Sequence, residues 1–226
     1  MTRPLWWEGG IPSPAAAPGV GPVGAGYAAQ PPSEVDVAIV GGGFTGLWTA
    51  YYLLGLDPSL SVVVLEAEHV GFGASGRNGG WVSALWPVSA STLARESGDA
   101  AARSMGAALR ETVLEVGRVA ADEGIDCDYR RGGVVLAART PAQVERARGY
   151  AAAGAAWGDG TVWLDLPEAR DRVRMSGLLG ATYNPNCARI HPRNLVDGLA
   201  AVVRSRGGVI VEGARVTSAS PGRVVL

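Results

Sequence analysis

The stretch "DVAIVGGGFTGL" (36–47) holds three adjacent glycines in the spacing Gly41-x-Gly43-x-x-Gly46. Residue types in this pattern suit a pyrophosphate, with a tight structural turn as the alternative. The first glycine makes a tight turn, and the second removes a side chain so that phosphate can touch the backbone. The third lets a helix pack close to a strand. Free N–H groups at the start of that helix face the phosphates, and the helix dipole favours their negative charge. Thr45 adds a hydroxyl donor, and Phe44 stands between the second and third glycines. Glu66 follows Gly46 by 20 residues. A carboxylate there accepts hydrogen bonds from ribose hydroxyls and repels a 2′-phosphate.

The fingerprint serves FAD and NAD alike. A second run, "GFGASGRNGG" (71–80), has five glycines in ten residues together with Ser75, Arg77 and Asn78. A flat tricyclic ring and its ribityl chain need close backbone approach along one face, which this run can supply. It favours FAD, although a Gly-rich loop and an NAD-dependent dehydrogenase stay open on the residues alone.

Other reactive side chains are few. The 20 basic residues are all Arg, so neither a lysine base nor a Schiff-base lysine comes from this chain. Two histidines and two widely spaced cysteines give no metal-ligand spacing, and no metal is expected. His191 precedes Pro192, where a role at a helix start is favoured over that of a base. His69 reads as a loop residue. Arg77 either balances negative charge on a flavin or substrate or ties its loop to a neighbouring acid. Arg130 and Arg131 read as a solvated strand end. Cys127 and Cys187 read as reduced core thiols.

These groups need a frame. Val35–Val40 is a short apolar strand, Phe44–Gly55 a helix, and Ser61–Glu66 a second strand. Together they make a βαβ unit with a right-handed crossover. Apolar strands of this kind suit a parallel sheet covered on both faces. A long helix is expected over about 91–123, and two strands around the Gly132-Gly133 turn within 127–138. Helices follow at 141–158 and 167–174, and a strand at 178–183. The next helix runs over 192–206, opened by Pro192 and stopped by Gly207-Gly208. Strands follow at 209–212, 214–218 and from 223, the last two reading as a hairpin at which the sequence stops. Residues 1–33 form a Pro/Gly/Ala-rich tail in which Trp6 and Trp7 are candidate anchors.

The formal net charge of −1 gives no general attraction to nucleic acid or an anionic membrane. No run of 18 apolar residues and no signal peptide is present, so a cytoplasmic protein is expected.

The motifs "DVAIVGGGFTGL", "VVVLEAEHVGFGASGRNGG", "IDCDYRRGG" and "IHPRNL" together resemble the FAD-dependent amine and amino-acid oxidases of the D-amino-acid oxidase superfamily. Within it the chain resembles the gamma-glutamylputrescine oxidase-like branch more than the glycine and sarcosine oxidases. The resemblance implies an α/β fold: a doubly wound, Rossmann-like FAD-binding domain interleaved with the start of an antiparallel α+β substrate domain. It places the FAD domain at 34–122 and 190–226, incomplete at the C-terminus, and the substrate domain at 123–189.

It further implies that Gly41, Gly43, Phe44, Thr45 and Gly46 hold the pyrophosphate and Glu66 the adenosine ribose. Ser75, Gly76, Arg77, Asn78, Gly79 and Gly80 then run along the ribityl chain and isoalloxazine, and Val216 offers backbone contacts to adenine. The implied reaction is oxidation of a C–N bond in a small amine or amino acid by hydride transfer to flavin. Oxygen or another acceptor takes the electrons. Family members run to about twice this length, so an N-terminal fragment is expected, and a flavin-binding module without turnover is the alternative. No catalytic residue is assigned.

Overall fold

The computed structural model describes residues 30–226. Most of the tail expected over 1–33, with Trp6 and Trp7, lies outside the described residues. The described chain divides into two compact units. One comprises 30–80, 120–128 and 191–226; the other comprises 81–119 and 129–190. Residues 81–119, expected with the FAD-binding domain, group with the second unit.

The first unit is built on β1 (Val37–Val40), α1 (Phe44–Leu56) and β2 (Val62–Glu66), the βαβ unit read from the sequence. β1 and β2 pair in parallel, Val37 opposite Val62 and Val40 opposite Leu65. β9 (Val209–Glu212) joins the other edge of β2, also in parallel, and brings Glu212 opposite Glu66. The sheet order is β1-β2-β9. β2 is buried on both faces because two different layers cover it. On one side α1 packs against α6 (Pro192–Ser205), α1 against β2, and α6 against β9. On the other, Val63, Leu65, Val211 and Ala214 form an apolar cluster on which Val35, Val216 and Val224 rest. Val224 belongs to a hairpin of β10 (Ser218–Ser220) and β11 (Arg223–Val225).

α6 begins where Pro192 dictates. His191 is its N-cap, and the ring Nδ1 accepts from the Asn194 N–H at 3.2 Å. A polar tie links α1 to the segment after α6. Glu123 accepts from the Tyr51 hydroxyl at 3.0 Å and from the Arg206 guanidinium, which also lies over the Tyr51 ring.

The second unit is antiparallel. One sheet orders β3 (Trp81–Ser83), β8 (Cys187–Arg189) and β4 (Arg130–Arg131) as β3-β8-β4. A second orders β5 (Val134–Ala138), β7 (Gly180–Asn184) and β6 (Val162–Leu164) as β5-β7-β6. α4 (Pro141–Trp157) packs on all three strands of the second sheet, and α5 (Leu166–Arg172) on β6 and β7. Leu164, Ala169, Leu178 and Ala181 form an apolar core between α5 and this sheet.

Several expectations are corrected. The long helix of 91–123 is two helices, α2 (Ala90–Ser97) and α3 (Asp99–Asp122). Gly98 breaks them at φ 88°, a conformation that ends a helix and favours glycine. The strands beside Gly132-Gly133 do not pair with each other: β4 pairs with β8 and β5 with β7. Residues 214–217 are not strand. Ala214 donates to the Glu66 carbonyl at 2.9 Å and Thr217 to that of Val225 at 2.8 Å, and the ladder begins only at Ser218. Three-residue strands β3, β6 and β8 were not anticipated.

Candidate dinucleotide site

β1 ends at Val40, and the chain turns at once. Gly41 sits at φ 103°, where a side chain is strained, and its N–H donates to the Leu65 carbonyl at 2.8 Å. α1 then starts at Phe44 with Gly43 as an N-cap that has no capping side chain. Gly46 is required by closeness. A Cβ there would lie 2.1 Å from the Gly41 oxygen and 3.1 Å from Ile39 Cγ2. The third glycine therefore does what the fingerprint asks, holding the helix against the turn and the strand.

Glu66 reaches this loop from the end of β2. Its Oε2 accepts from the Gly42 N–H at 2.7 Å and its Oε1 from the Glu68 N–H at 3.0 Å. An ionised carboxylate has about four acceptor sites, so two such bonds leave capacity for hydroxyl donors. Gly42 was not among the expected contacts. The third adjacent glycine was its signal in the sequence, since a Cβ at Gly42 would stand 3.1 Å from Glu66 Cβ.

The second glycine run lies against the first. Ser75 Oγ accepts from the Phe44 N–H at 2.8 Å, so a residue 31 positions away serves as the missing cap of α1. A Cβ on Gly43 would stand 2.8 Å from that oxygen. Gly71 donates to the Gly42 carbonyl at 3.0 Å. Of the first α1 amides, Phe44 is engaged by Ser75 and Leu47 by the Gly43 carbonyl. Those of Thr45 and Gly46 have no partner inside the helix. Thr45 is exposed at this end.

The rest of the run is held by its own side chains. Ala74–Gly76 forms a 3-10 turn in which a Cβ on Gly76 would lie 2.2 Å from the Gly71 oxygen. Arg77 donates through Nε to the Phe72 carbonyl at 2.5 Å and lies over the Phe72 ring, 4.5 Å from its centroid. Both contacts hold Arg77 to its own loop through Phe72. Asn78 donates to the Ser75 carbonyl at 2.8 Å and accepts from the Gly80 N–H at 2.8 Å. Gly79 has open space where a Cβ would stand. Val216 is placed by packing on the sheet face with Val63 and Leu65.

The structure therefore brings Gly41, Gly43, Phe44, Thr45, Gly46, Glu66, Ser75, Gly76, Arg77, Asn78, Gly79 and Gly80 onto two connected loops. These lie at the C-terminal ends of parallel strands, where open α/β sheets bind ligands. No helix among the described residues is long and apolar enough to cross a membrane.

A parallel β1-β2-β9 sheet with a glycine turn into α1 and an acid at the end of β2 defines a dinucleotide-binding protein of the doubly wound class. The chain belongs to the FAD dependent oxidoreductase family, whose sequence model matches residues 36–226. It is 35% identical over 191 residues to the gamma-glutamylputrescine oxidoreductase of Escherichia coli K12, covering 80% of this chain and 42% of that protein. Among solved structures it resembles glycine oxidase from Geobacillus kaustophilus at a TM-score of 0.59 and 27% identity, over 79% of this chain and 46% of that one. L-amino acid deaminase from Proteus myxofaciens shares the fold at a TM-score of 0.67 and 20% identity, over 85% and 42%. The chain spans less than half the length of each.

Proposed function

We propose that this chain carries the FAD-holding part of an oxidoreductase acting on the C–N bond of a small amine or amino acid. The observation that carries the reading is the junction of the two glycine runs, where Ser75 caps α1 and Glu66 reaches Gly42. The residues fit the cofactor. A phosphate-binding helix start keeps the Thr45 and Gly46 amides for a ligand, a carboxylate has acceptor capacity left, and Gly79 offers open backbone.

On this reading Gly41, Gly43, Phe44, Thr45 and Gly46 hold the pyrophosphate. Glu66 takes the adenosine ribose hydroxyls. Ser75 to Gly80 line the ribityl chain and the ring, and Val216 presents backbone groups to adenine. The FAD-binding function falls to the first unit, and the second begins the substrate domain. When bound, FAD supplies the acceptor for the hydride leaving the carbon beside nitrogen, with oxygen or another acceptor downstream. The names of the E. coli and Geobacillus relatives support an amine or amino acid as substrate. A cytoplasmic location belongs to the same reading. Because the chain spans 42% of the E. coli relative, a flavin-holding module without turnover is the second reading.

The test is to purify the 226-residue chain, add FAD, desalt, and record the visible spectrum. A retained flavin band, bleached by an amine without oxygen, is expected from the oxidoreductase. A retained band that no amine bleaches supports the module. A folded chain that keeps no flavin overturns both.

A further inference from the structure

Between the end of β2 and the second glycine run, the chain passes through His69, Val70 and Gly71. Val70 is 3% exposed, yet both of its peptide groups are held by charged side chains from other elements. Its N–H donates to Glu212 Oε1 at 2.7 Å, at the end of β9. Its carbonyl accepts from Arg193 Nη1 at 3.2 Å, from the first turn of α6, and lies 3.0 Å from His69 Nδ1. Arg193 is itself oriented by Asp197 one turn on, its Nε donating to Oδ2 at 2.6 Å. The next residue, Gly71, takes φ 69°, and a Cβ on it would lie 2.6 Å from Val196 Cγ1 of the same helix. Gly71 then makes the bond to the Gly42 carbonyl that joins the two glycine runs.

We propose that Arg193, Asp197 and Glu212 are positioning residues that clamp the Val70 peptide groups and so set the second glycine run against the first. The proposal rests on the flavin reading only in that FAD affinity reports the result. Bonds to charged groups are stronger than neutral ones, and a planar guanidinium serves two acceptors at fixed angles. A lysine at 193 keeps the charge and loses the fork. Burial pushes the Asp197 carboxyl up, Arg193 opposes this through charge and hydrogen bond, Glu212 adds to it, and His69 opposes it.

The experiment uses the full chain and the variants Arg193→Lys, Glu212→Ala and Glu212→Gln. Arg118→Lys, at an exposed ion pair on α3, is the control. Amide hydrogen exchange over 70–80 is read first, without FAD, and FAD dissociation constants are then taken from quenching of flavin fluorescence. Arg193→Lys and Glu212→Ala are expected to speed exchange over 70–80 and to weaken FAD about tenfold, leaving β2 and α1 amides slow. Glu212→Gln, which keeps an acceptor for the Val70 N–H, is expected to restore both. Wild-type exchange over 70–80 in both disrupting variants overturns the clamp, as does faster exchange with unchanged FAD affinity. Should Glu212→Ala fail to fold, Arg193→Lys carries the same comparison. A wild-type chain that takes up no FAD sinks the proposed function, while the exchange rates still decide the clamp.

Discussion

The glycines of the two runs do different work, and adding one methyl group separates them. At Gly46 the new Cβ would meet backbone, 2.1 Å from the Gly41 oxygen, and backbone cannot swing aside. Gly46→Ala is expected to cost roughly 1–3 kcal/mol, read by urea unfolding. At Gly79 nothing lies within 4 Å, so Gly79→Ala is expected to stay within about 0.5 kcal/mol of wild type. If flavin runs along this segment, Gly79→Ala weakens FAD while stability holds; equal FAD affinity would remove Gly79 from the site. A second residue-scale effect is set by pH. Ser61 donates to Asp36 through its hydroxyl at 2.6 Å and its N–H at 2.8 Å, and these bonds lower the carboxyl below its ordinary 3.8. The unfolded chain then binds more protons in that window, so the contribution is present above pH 3.8 and lost as pH falls through the folded value. Asp36→Ala should lower Tm at pH 7 and converge with wild type in stronger acid. A Tm difference that persists unchanged into that acid range would show that the carboxylate charge is not its source.

At the scale of elements, helix starts show what local sequence can say. α4 has Thr140 as N-cap and Gln143 reaching back, a capping box with Pro141 behind it. α5 repeats the device with Asp165 and Glu168. Each box lies within four residues, so both are local signals, although the helices at 141–158 and 167–174 were expected without them. α1 is capped from 31 residues away by Ser75, which no local window contains. Ser75→Ala and Thr140→Ala should each cost about 1 kcal/mol in urea unfolding. Only Ser75→Ala should also weaken FAD, because it releases one glycine run from the other; equal FAD affinity in the two variants would reduce Ser75 to an ordinary cap. The same contrast governs the fold at large. The βαβ unit and α6 were legible through periodicity and Pro and Gly punctuation. β3, β6 and β8, of three residues each, carry no period, and their partners lie far along the chain. Residues 214–217 had apolar alternation but bond to Glu66 and Val225 rather than to a ladder. In the candidate site the motif residues were legible, whereas Arg193 and Glu212 were not, because their target is a backbone peptide that leaves no mark on residue type.

At the scale of the whole chain, the sheet of the first unit is covered unevenly. Across one face the paired residues Val211, Leu65 and Val40 run from β9 through β2 to β1. The first two are 4% and 5% exposed, and Val40 is 58% exposed. The hairpin and Val216 cover β9 and β2 and stop short of β1. Among the described residues no strand pairs with the outer edge of β1. β1 reads Val-Ala-Ile-Val, without charge or proline to blunt that edge. Strands of parallel sheets are normally buried on both faces, and an apolar open edge is a template for pairing with another chain. The 226-residue chain alone should therefore associate as its concentration rises, measured by sedimentation velocity. Ala38 lies mid-strand and exposed, away from the glycine turn, so Ala38→Lys should return the chain toward monomer without disturbing the FAD loops. A chain that stays monomeric throughout, or an Ala38→Lys variant that associates as before, would show that this edge is not the one other chains find.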